Sequence, residues 1–331
     1  MRNLDQRLPG TFPAQWKMPL LATIFVSLSG CAPYARLEHQ ATHLGLEMSW
    51  ISGTRFQHRL FRKRTTCVEG KVHIYLEGDG RAWLSGNRIA ADPTPTASCL
   101  LPLMAMDPMP SVYLGRPCYH GTARTEPCHP RLWTRARYGE TVVESMARAL
   151  EKLTGNGSCR AVLIGFSGGG TLAMLLAART PTRIAGVVTL AGNLDTDAWT
   201  RRHRYSPLDQ SLNPARLPPL PAGIFQLHIA GGRDDNIPLV SIAHEVARQP
   251  GARLLVLPGM AHTCPDESVW QGILTGIAIL EQSPGRRKND EMHVPDGQDR
   301  HSDGEEPWCT PPRLSIHCWT GPSGNDRMTR Q

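Results

Sequence analysis

From about residue 48 to residue 282 the chain alternates apolar runs of strand length with stretches whose apolar residues recur every three or four positions. No other feature constrains the fold as much. Strands that are apolar on both faces must be covered on both faces, and a mostly parallel sheet with helices on either side meets that demand, an α/β architecture. Lys71–Leu76, Ser111–Gly115, Arg160–Gly165, Ile184–Leu190, Ile224–Ile229 and Arg253–Leu257 read as the strands.

Helical stripes fall between and after them. Val143, Met146, Ala147, Leu150 and Leu153 share one helix face ending at Gly155, and Trp270, Ile273, Leu274, Ile277 and Leu280 form a closing stripe. One domain over 48–282 accommodates all of this, and the 40% hydrophobic content supplies a substantial core. Residues 193–221, richer in Pro, Arg and polar groups, read as a small cap-like excursion over the carboxyl edge of the sheet. Residues 283–331 shift to Pro, Gly, Asp and Arg without apolar period and are expected to lack stable structure.

The N-terminus obeys a different rule. Arg2, Arg7 and Lys17 precede the uncharged run Leu20–Leu28, too short to span a bilayer, which needs about 20 apolar residues. That order of charge, apolar run and small residues is a signal peptide over 1–30. Leu28-Ser29-Gly30-Cys31 resembles the bacterial lipobox. The resemblance implies a lipidated Cys31, a tether over 31–47 and, with Ala32 following, an anchor in the outer membrane facing the periplasm. Removing Cys31 from the nine cysteines leaves eight, an even number for an oxidising compartment. Cys118 with Cys128 is the favoured disulfide and Cys309 with Cys318 a further one, while Cys67, Cys99, Cys159 and Cys264 stay unassigned. A zinc site from Cys118, His120, Cys128 and His129 has the residue types but no common spacing. The net charge of +7 is scattered in short groups such as Arg62-Lys63-Arg64 and Arg286-Arg287-Lys288, without interleaved aromatics or a recognition helix, so no nucleic-acid partner is expected.

Chemistry concentrates at Gly165-Phe166-Ser167-Gly168-Gly169, a G-x-S-x-G with a strand before it and helical residues from Thr171 to Ala178 after it. A strand turning sharply into a helix strains the serine and leaves its neighbours no room for a Cβ, and it exposes the hydroxyl at a helix N-terminus that favours negative charge. A phosphate-binding loop is disfavoured because the glycine run holds no Lys. A serine needs a base, and the base needs a carboxylate. Gly231-Gly232-Arg233-Asp234-Asp235-Asn236-Ile237-Pro238 resembles the G-x-x-D-x-x-V-P acid turn of α/β-hydrolases, and His262 follows the last strand, where that superfamily carries its histidine. Asp235, Asp195 and Asp197 are the other carboxylates available as the acid. His73 and His228, within strands, read as core groups.

The stretch from about Phe56 to Gln282 therefore resembles the α/β-hydrolase superfamily. The resemblance implies that fold, a Ser167, Asp234 and His262 triad, and cleavage of a small-molecule or lipid ester or thioester through an acyl-enzyme, with no cofactor. It further implies an oxyanion hole from the N–H of Gly168 and that of Asp79 or Gly80, since Glu77-Gly78-Asp79-Gly80 is similar to the H-G-G-G loop of esterases. Asp79 departs from that loop, and its carboxylate is expected to turn away from a developing oxyanion, towards Arg81. Two readings compete. A glycosidase built on Glu77 and Asp79 would need carboxyls on opposite sides of a sugar. A non-catalytic envelope lipoprotein could use the fold as a binding module. Trp83, Trp199 and Tyr205 are candidate pocket walls.

Overall fold

Strands β1 (Glu47–Ser52) and β2 (Gln57–Arg62) form an antiparallel hairpin at one edge of a nine-stranded sheet, in the computed structural model that describes residues 33–63, 67–85, 87–155, 157–282 and 316–318. The sheet continues through β3 (Lys71–Leu76), β6 (Ser111–Leu114), β7 (Arg160–Phe166), β8 (Ile184–Leu190), β9 (Phe225–Gly231) and β10 (Arg253–Leu257), in the order β1-β2-β6-β3-β7-β8-β9-β10. From β6 onward every neighbouring pair is parallel. All six strands read from the sequence are present with ends shifted by two residues at most. A separate ribbon of β4 (Trp83–Ser85) and β5 (Arg88–Ile89) rises from the loop after β3.

Helices cover both faces, as the doubly apolar strands require. Helices α3 (Glu140–Leu153), α4 (Gly168–Arg179) and α6 (Leu239–Ala247) pack into one core with the side chains of Ile74, Leu163 and Val187. On the opposite face α1 (Pro33–His43), α2 (Leu100–Met106) and α7 (Glu267–Gln282) enclose Tyr75, Ile164 and Val188. The stripes expected for α3 and α7 are the ones that are buried, with Leu153 only half-buried. Helix α5 (Thr196–His203) lies within the 193–221 excursion that follows β8.

Several elements depart from the sequence reading. The segment expected as a tether over 31–47 is, in its described part, the docked helix α1. Leu37 and Ala41 are fully buried, Glu38 pairs with Arg59 at 2.6 Å, and Gln40 exchanges two hydrogen bonds with the backbone of Ser98. Two buried residues four apart make too weak a stripe to be recognised alone. The β1–β2 hairpin was likewise not read. A third strand, β11 (Ile316–Cys318), comes from the tail for which no element was expected and pairs in parallel with β10. The signal peptide, the lipobox with Cys31, and Cys309 lie outside the described residues.

Cys118 and Cys128 are bonded, as favoured, and Cys67 is joined to Cys159 and Cys99 to Cys264. With its two sulfurs bonded to each other, the Cys118–Cys128 pair offers no thiolate to zinc, and no metal-binding group occurs among the described residues.

A buried polar cluster joins β3 to its neighbours on the α7 side. His73 Nδ1 lies 2.6 Å from Asp107 Oδ2, His73 Nε2 lies 3.3 Å from Glu281 Oε1, and the Tyr75 hydroxyl donates to Asp107 at 2.6 Å. Burial alone would lower the imidazole pKa, but hydrogen bonds to Asp107 and Glu281 and their charges prevail and raise it to about 9. A folded-state pKa above the unfolded value stabilises the fold fully below about pH 6.5, and that contribution fades as pH rises through about 9. Urea unfolding should therefore show wild type losing on the order of 3 kcal/mol more than His73→Gln between pH 7 and pH 10. Parallel pH profiles for the two proteins would remove the protonated latch.

Candidate active site

Ser167 sits where β7 ends and α4 begins, with φ 53° and ψ −120°, a backbone region costly for any residue with a Cβ. Its N–H donates to Leu190 O at 2.9 Å, and its carbonyl accepts from Gly170 N at 2.9 Å and Asn193 N at 3.1 Å, so the strained turn is held from both sides. The glycines have steric reasons. A Cβ on Gly165 would overlap the carbonyl of Gly169, and one on Gly169 would overlap the carbonyl of Leu76 at the end of β3.

The histidine and the acid arrive on loops that the sheet brings to the same edge. His262 lies in the turn after β10, with Nε2 3.0 Å from Ser167 Oγ and Nδ1 2.8 Å from Asp234 Oδ2. A carboxylate only accepts, so Nδ1 carries the imidazole proton and Nε2 is free to accept from the hydroxyl. Asp234 follows β9 with its side chain fully buried; its other oxygen accepts from the N–H groups of Asn236 at 2.9 Å and Ile237 at 2.8 Å. Gly231 and Gly232 let this turn press against the His262 loop. A Cβ on Gly232 would come within 2.6 Å of Pro258 O, and the N–H of Arg233 donates to Met260 O at 3.0 Å. The Phe166 and His262 rings lie 5.2 Å apart, and Cys264, two residues past the imidazole, is disulfide-bonded to Cys99 at the start of α2.

The structure thus brings Ser167, Asp234 and His262 together and sets the other carboxylates aside. Asp235 is exposed. Asp195 caps α5 by accepting from the N–H groups of Asp197 and Ala198, and Asp197 pairs with Arg216. Trp199 Nε1 donates to Asn236 Oδ1 and packs on Tyr205, so these two aromatics flank the acid turn, while Trp83 is exposed on β4.

The loop after β3 approaches Ser167 closely: a Cβ on Gly78 would lie 3.5 Å from Ser167 Cβ. Among the described residues, none of the N–H groups of Asp79, Gly80 and Gly168 has a protein acceptor. Gly80, at φ 62°, packs against Pro93 where a side chain would not fit. The Asp79 carboxylate does not reach Arg81, whose side chain is exposed. It accepts from Arg116 Nη1 at 2.6 Å, Arg137 Nη1 at 2.8 Å and the Tyr138 hydroxyl at 2.7 and 2.8 Å. Burial opposes its ionisation, yet the two guanidiniums and the Tyr138 hydrogen bond outweigh it and hold the carboxyl well below the usual range. Glu77 is pushed the other way, its pKa raised by burial. With Asp79 occupied by three partners and Glu77 buried beside it, the two do not form the facing pair that a glycosidase needs.

Arg116, Arg137 and Tyr138 escaped the sequence reading. Their only signal was position: Arg116 follows β6 at the same edge, and Arg137-Tyr138 precede α3.

Comparison with known proteins agrees with this architecture. Residues 118–215 match the alpha/beta hydrolase fold family, a span that contains Ser167 but neither Asp234 nor His262. The structure is similar to that of a candidate lipase from Acinetobacter baumannii AYE, with a TM-score of 0.51 and 11% identity, over 76% of this chain and 97% of the other. It is also similar to a candidate hydrolase from Agrobacterium vitis S4, with a TM-score of 0.50 and 15% identity, over 71% of this chain and 98% of the other. A search of curated proteins found no match. The chain has the α/β-hydrolase fold.

The strain at Ser167 gives a direct test. Ser167→Gly removes the Cβ from a positive-φ position, whereas Ser167→Ala keeps it. The glycine variant should be the more stable by about 1 kcal/mol in urea unfolding, after its greater unfolded-state entropy is counted. An alanine variant more stable than the glycine one by about 0.4–1 kcal/mol, the difference that unfolded-state entropy alone produces, would mean that the turn carries no strain.

Proposed function

We propose that this protein is a serine hydrolase that cleaves carboxylic esters or thioesters through an acyl-enzyme. One observation carries the reading: the hydrogen-bonded chain from Ser167 Oγ through His262 to a buried Asp234. A hydroxyl alone is a poor nucleophile at neutral pH. Here a neutral Nε2 lies ready to take its proton as Oγ attacks the acyl carbon, and the buried carboxylate stabilises the imidazolium that results. The negative charge passing to the acyl oxygen meets the free N–H of Gly168 at the start of α4, where the helix dipole adds to it, and that of Asp79 in the loop after β3. His262 then returns the proton to the leaving alcohol or thiol, and a water repeats the sequence to release the acid. Ser167 and His262 are both half-buried, so this machinery is open to an approaching ester.

A fluorophosphonate probe should label the purified protein, and a series of p-nitrophenyl esters of increasing chain length should reveal its acyl preference. In Ser167→Ala labelling should vanish and kcat fall by on the order of 10⁴-fold or more. Equal turnover by wild type and Ser167→Ala would remove the mechanism and leave the fold as a binding module.

The same chain is proposed to work in the cell envelope, lipidated on Cys31. The signal-like N-terminus and three disulfides support an exported protein, since such bonds persist in oxidising compartments. Two or three acyl chains anchor firmly at about 0.8 kcal/mol per buried methylene, which would hold the enzyme beside lipid substrates. In bacterial cells labelled palmitate should enter the wild-type protein and co-sediment with membranes. Cys31→Ser should be unlabelled and soluble; label retained in that variant would dismiss the anchor.

A further inference from the structure

An oxyanion hole built on the Gly78–Gly80 loop has a mechanical difficulty. Glycines on both sides of Asp79 leave its peptide groups free to rotate, while stabilising an oxyanion requires an N–H held in one direction. We propose that Arg116, Arg137 and Tyr138 are positioning residues that grip the Asp79 side chain and thereby aim the Asp79 N–H at the oxyanion. This inference rests on the serine-hydrolase reading and assigns a task to residues that touch neither substrate nor nucleophile.

Three sets of contacts support it. The carboxylate receives donors on both oxygens, Arg116 on Oδ1, Arg137 on Oδ2 and the Tyr138 hydroxyl on both, so it cannot rotate without breaking one. Both guanidiniums and the phenol are themselves buried, and each guanidinium has a further anchor: Arg116 donates to Arg137 O and Arg137 to Thr134 O. The backbone of the loop is held as well, because the Tyr119 hydroxyl donates to Asp79 O at 2.9 Å and Arg116 Nη1 approaches Gly78 O at 3.5 Å. In a trans peptide the carbonyl and the N–H point in opposite directions. Turning Gly78 O towards Arg116 therefore turns the N–H of Asp79 away from it, and that N–H has no protein acceptor among the described residues.

Gly168 explains how the clamp reaches the other donor. The G-x-S-x-G pattern leaves the position after the serine open to any residue, yet here it is glycine. A Cβ there would overlap Asp79 Oδ1 and the Tyr138 hydroxyl. The gripped carboxylate thus occupies the space of the missing side chain and lies against the residue whose N–H is the first donor, which sets the two donors in register. Its charge does not oppose the oxyanion, because two guanidiniums face one carboxylate and leave the cluster cationic.

The test separates transition-state from ground-state effects. Asp79→Asn, Arg137→Gln and Tyr138→Phe would be assayed on a short p-nitrophenyl ester, with concentrations set by fluorophosphonate titration so that only folded sites count. Each would also be measured against a trifluoromethyl ketone and the matching methyl ketone. With the former, Ser167 Oγ adds to the carbonyl carbon, its proton passes to His262, and the ketone oxygen becomes an oxyanion in the hole; the methyl ketone binds without adding. For Asp79→Asn, kcat and trifluoromethyl ketone affinity should fall together by about 10²-fold, while KM and methyl ketone affinity stay within about threefold. Tyr138→Phe, which keeps both arginine contacts, should lose about tenfold in the same two quantities and serves if the charge variants do not fold. Wild-type kcat in Asp79→Asn or Tyr138→Phe would overturn the clamp, as would equal losses for both ketones. If Ser167→Ala also hydrolyses the ester at the wild-type rate, the hydrolase reading itself has failed. An inactive Ser167→Ala beside fully active clamp variants rejects the clamp alone.

Discussion

The first turn of α4 meets the end of the sheet with no side chain between them, and the functional edge of the molecule depends on that approach. Gly169 presses against the carbonyl of Leu76, Gly165 against that of Gly169, and Gly170 against Gly192, so three strands and a helix converge on bare backbone. Only this proximity lets Ser167 adopt positive φ and project its hydroxyl, because its backbone then donates to Leu190 O and accepts from the N–H groups of Gly170 and Asn193. The rest of α4 is buried on all sides, Gly168 through Ala177, which gives the turn a rigid base.

Two buried ionic clusters sit on β3, and their chemistry diverges. At one end the charges and hydrogen bonds of Asp107 and Glu281 favour the protonated form of His73, which ties the strand to Asp107 and α7. At the other, just past the strand's last residue, the charges of two arginines beside the nucleophile hold Asp79 ionised. Removing one partner from a buried pair leaves an uncompensated charge, so piecemeal change in either cluster costs stability. One strand is thus fastened at its base by a cation between acids and at its tip by an acid between cations.

How much of this was legible in the sequence follows from the range of each interaction. The parallel strands announce themselves through continuous apolar runs, and α3 and α7 through stripes of five apolar residues, all local patterns. Ser167, Asp234 and His262 each sit in a short glycine-bearing turn after a strand, and at Gly165, Gly169, Gly231 and Gly232 nearby backbone leaves no room for a Cβ, so the turns could be singled out without knowing the fold. What escaped was non-local or weak. Helix α1 buries only Leu37 and Ala41. The disulfides Cys67–Cys159 and Cys99–Cys264 join residues 92 and 165 apart, and connectivity at such separations is not encoded in spacing. Asp79 was expected to find Arg81, two residues along, because proximity in sequence was the only guide; the actual partners come from β6's exit and the approach to α3, which the topology alone brings to the same edge.

The Cys99–Cys264 bond gives the imidazole an unusual kind of security. His262 comes late in the chain on a loop with few backbone hydrogen bonds, yet two residues later that loop is welded to the start of α2. A crosslink enclosing 165 residues removes about 5 kcal/mol of chain entropy from the unfolded ensemble in the loop-closure picture. Even a thermally loosened molecule keeps the base on a short leash, with only Thr263 between it and the weld. Recovering the constellation after such an excursion is then a search over the reach of a short peptide and not over the whole chain.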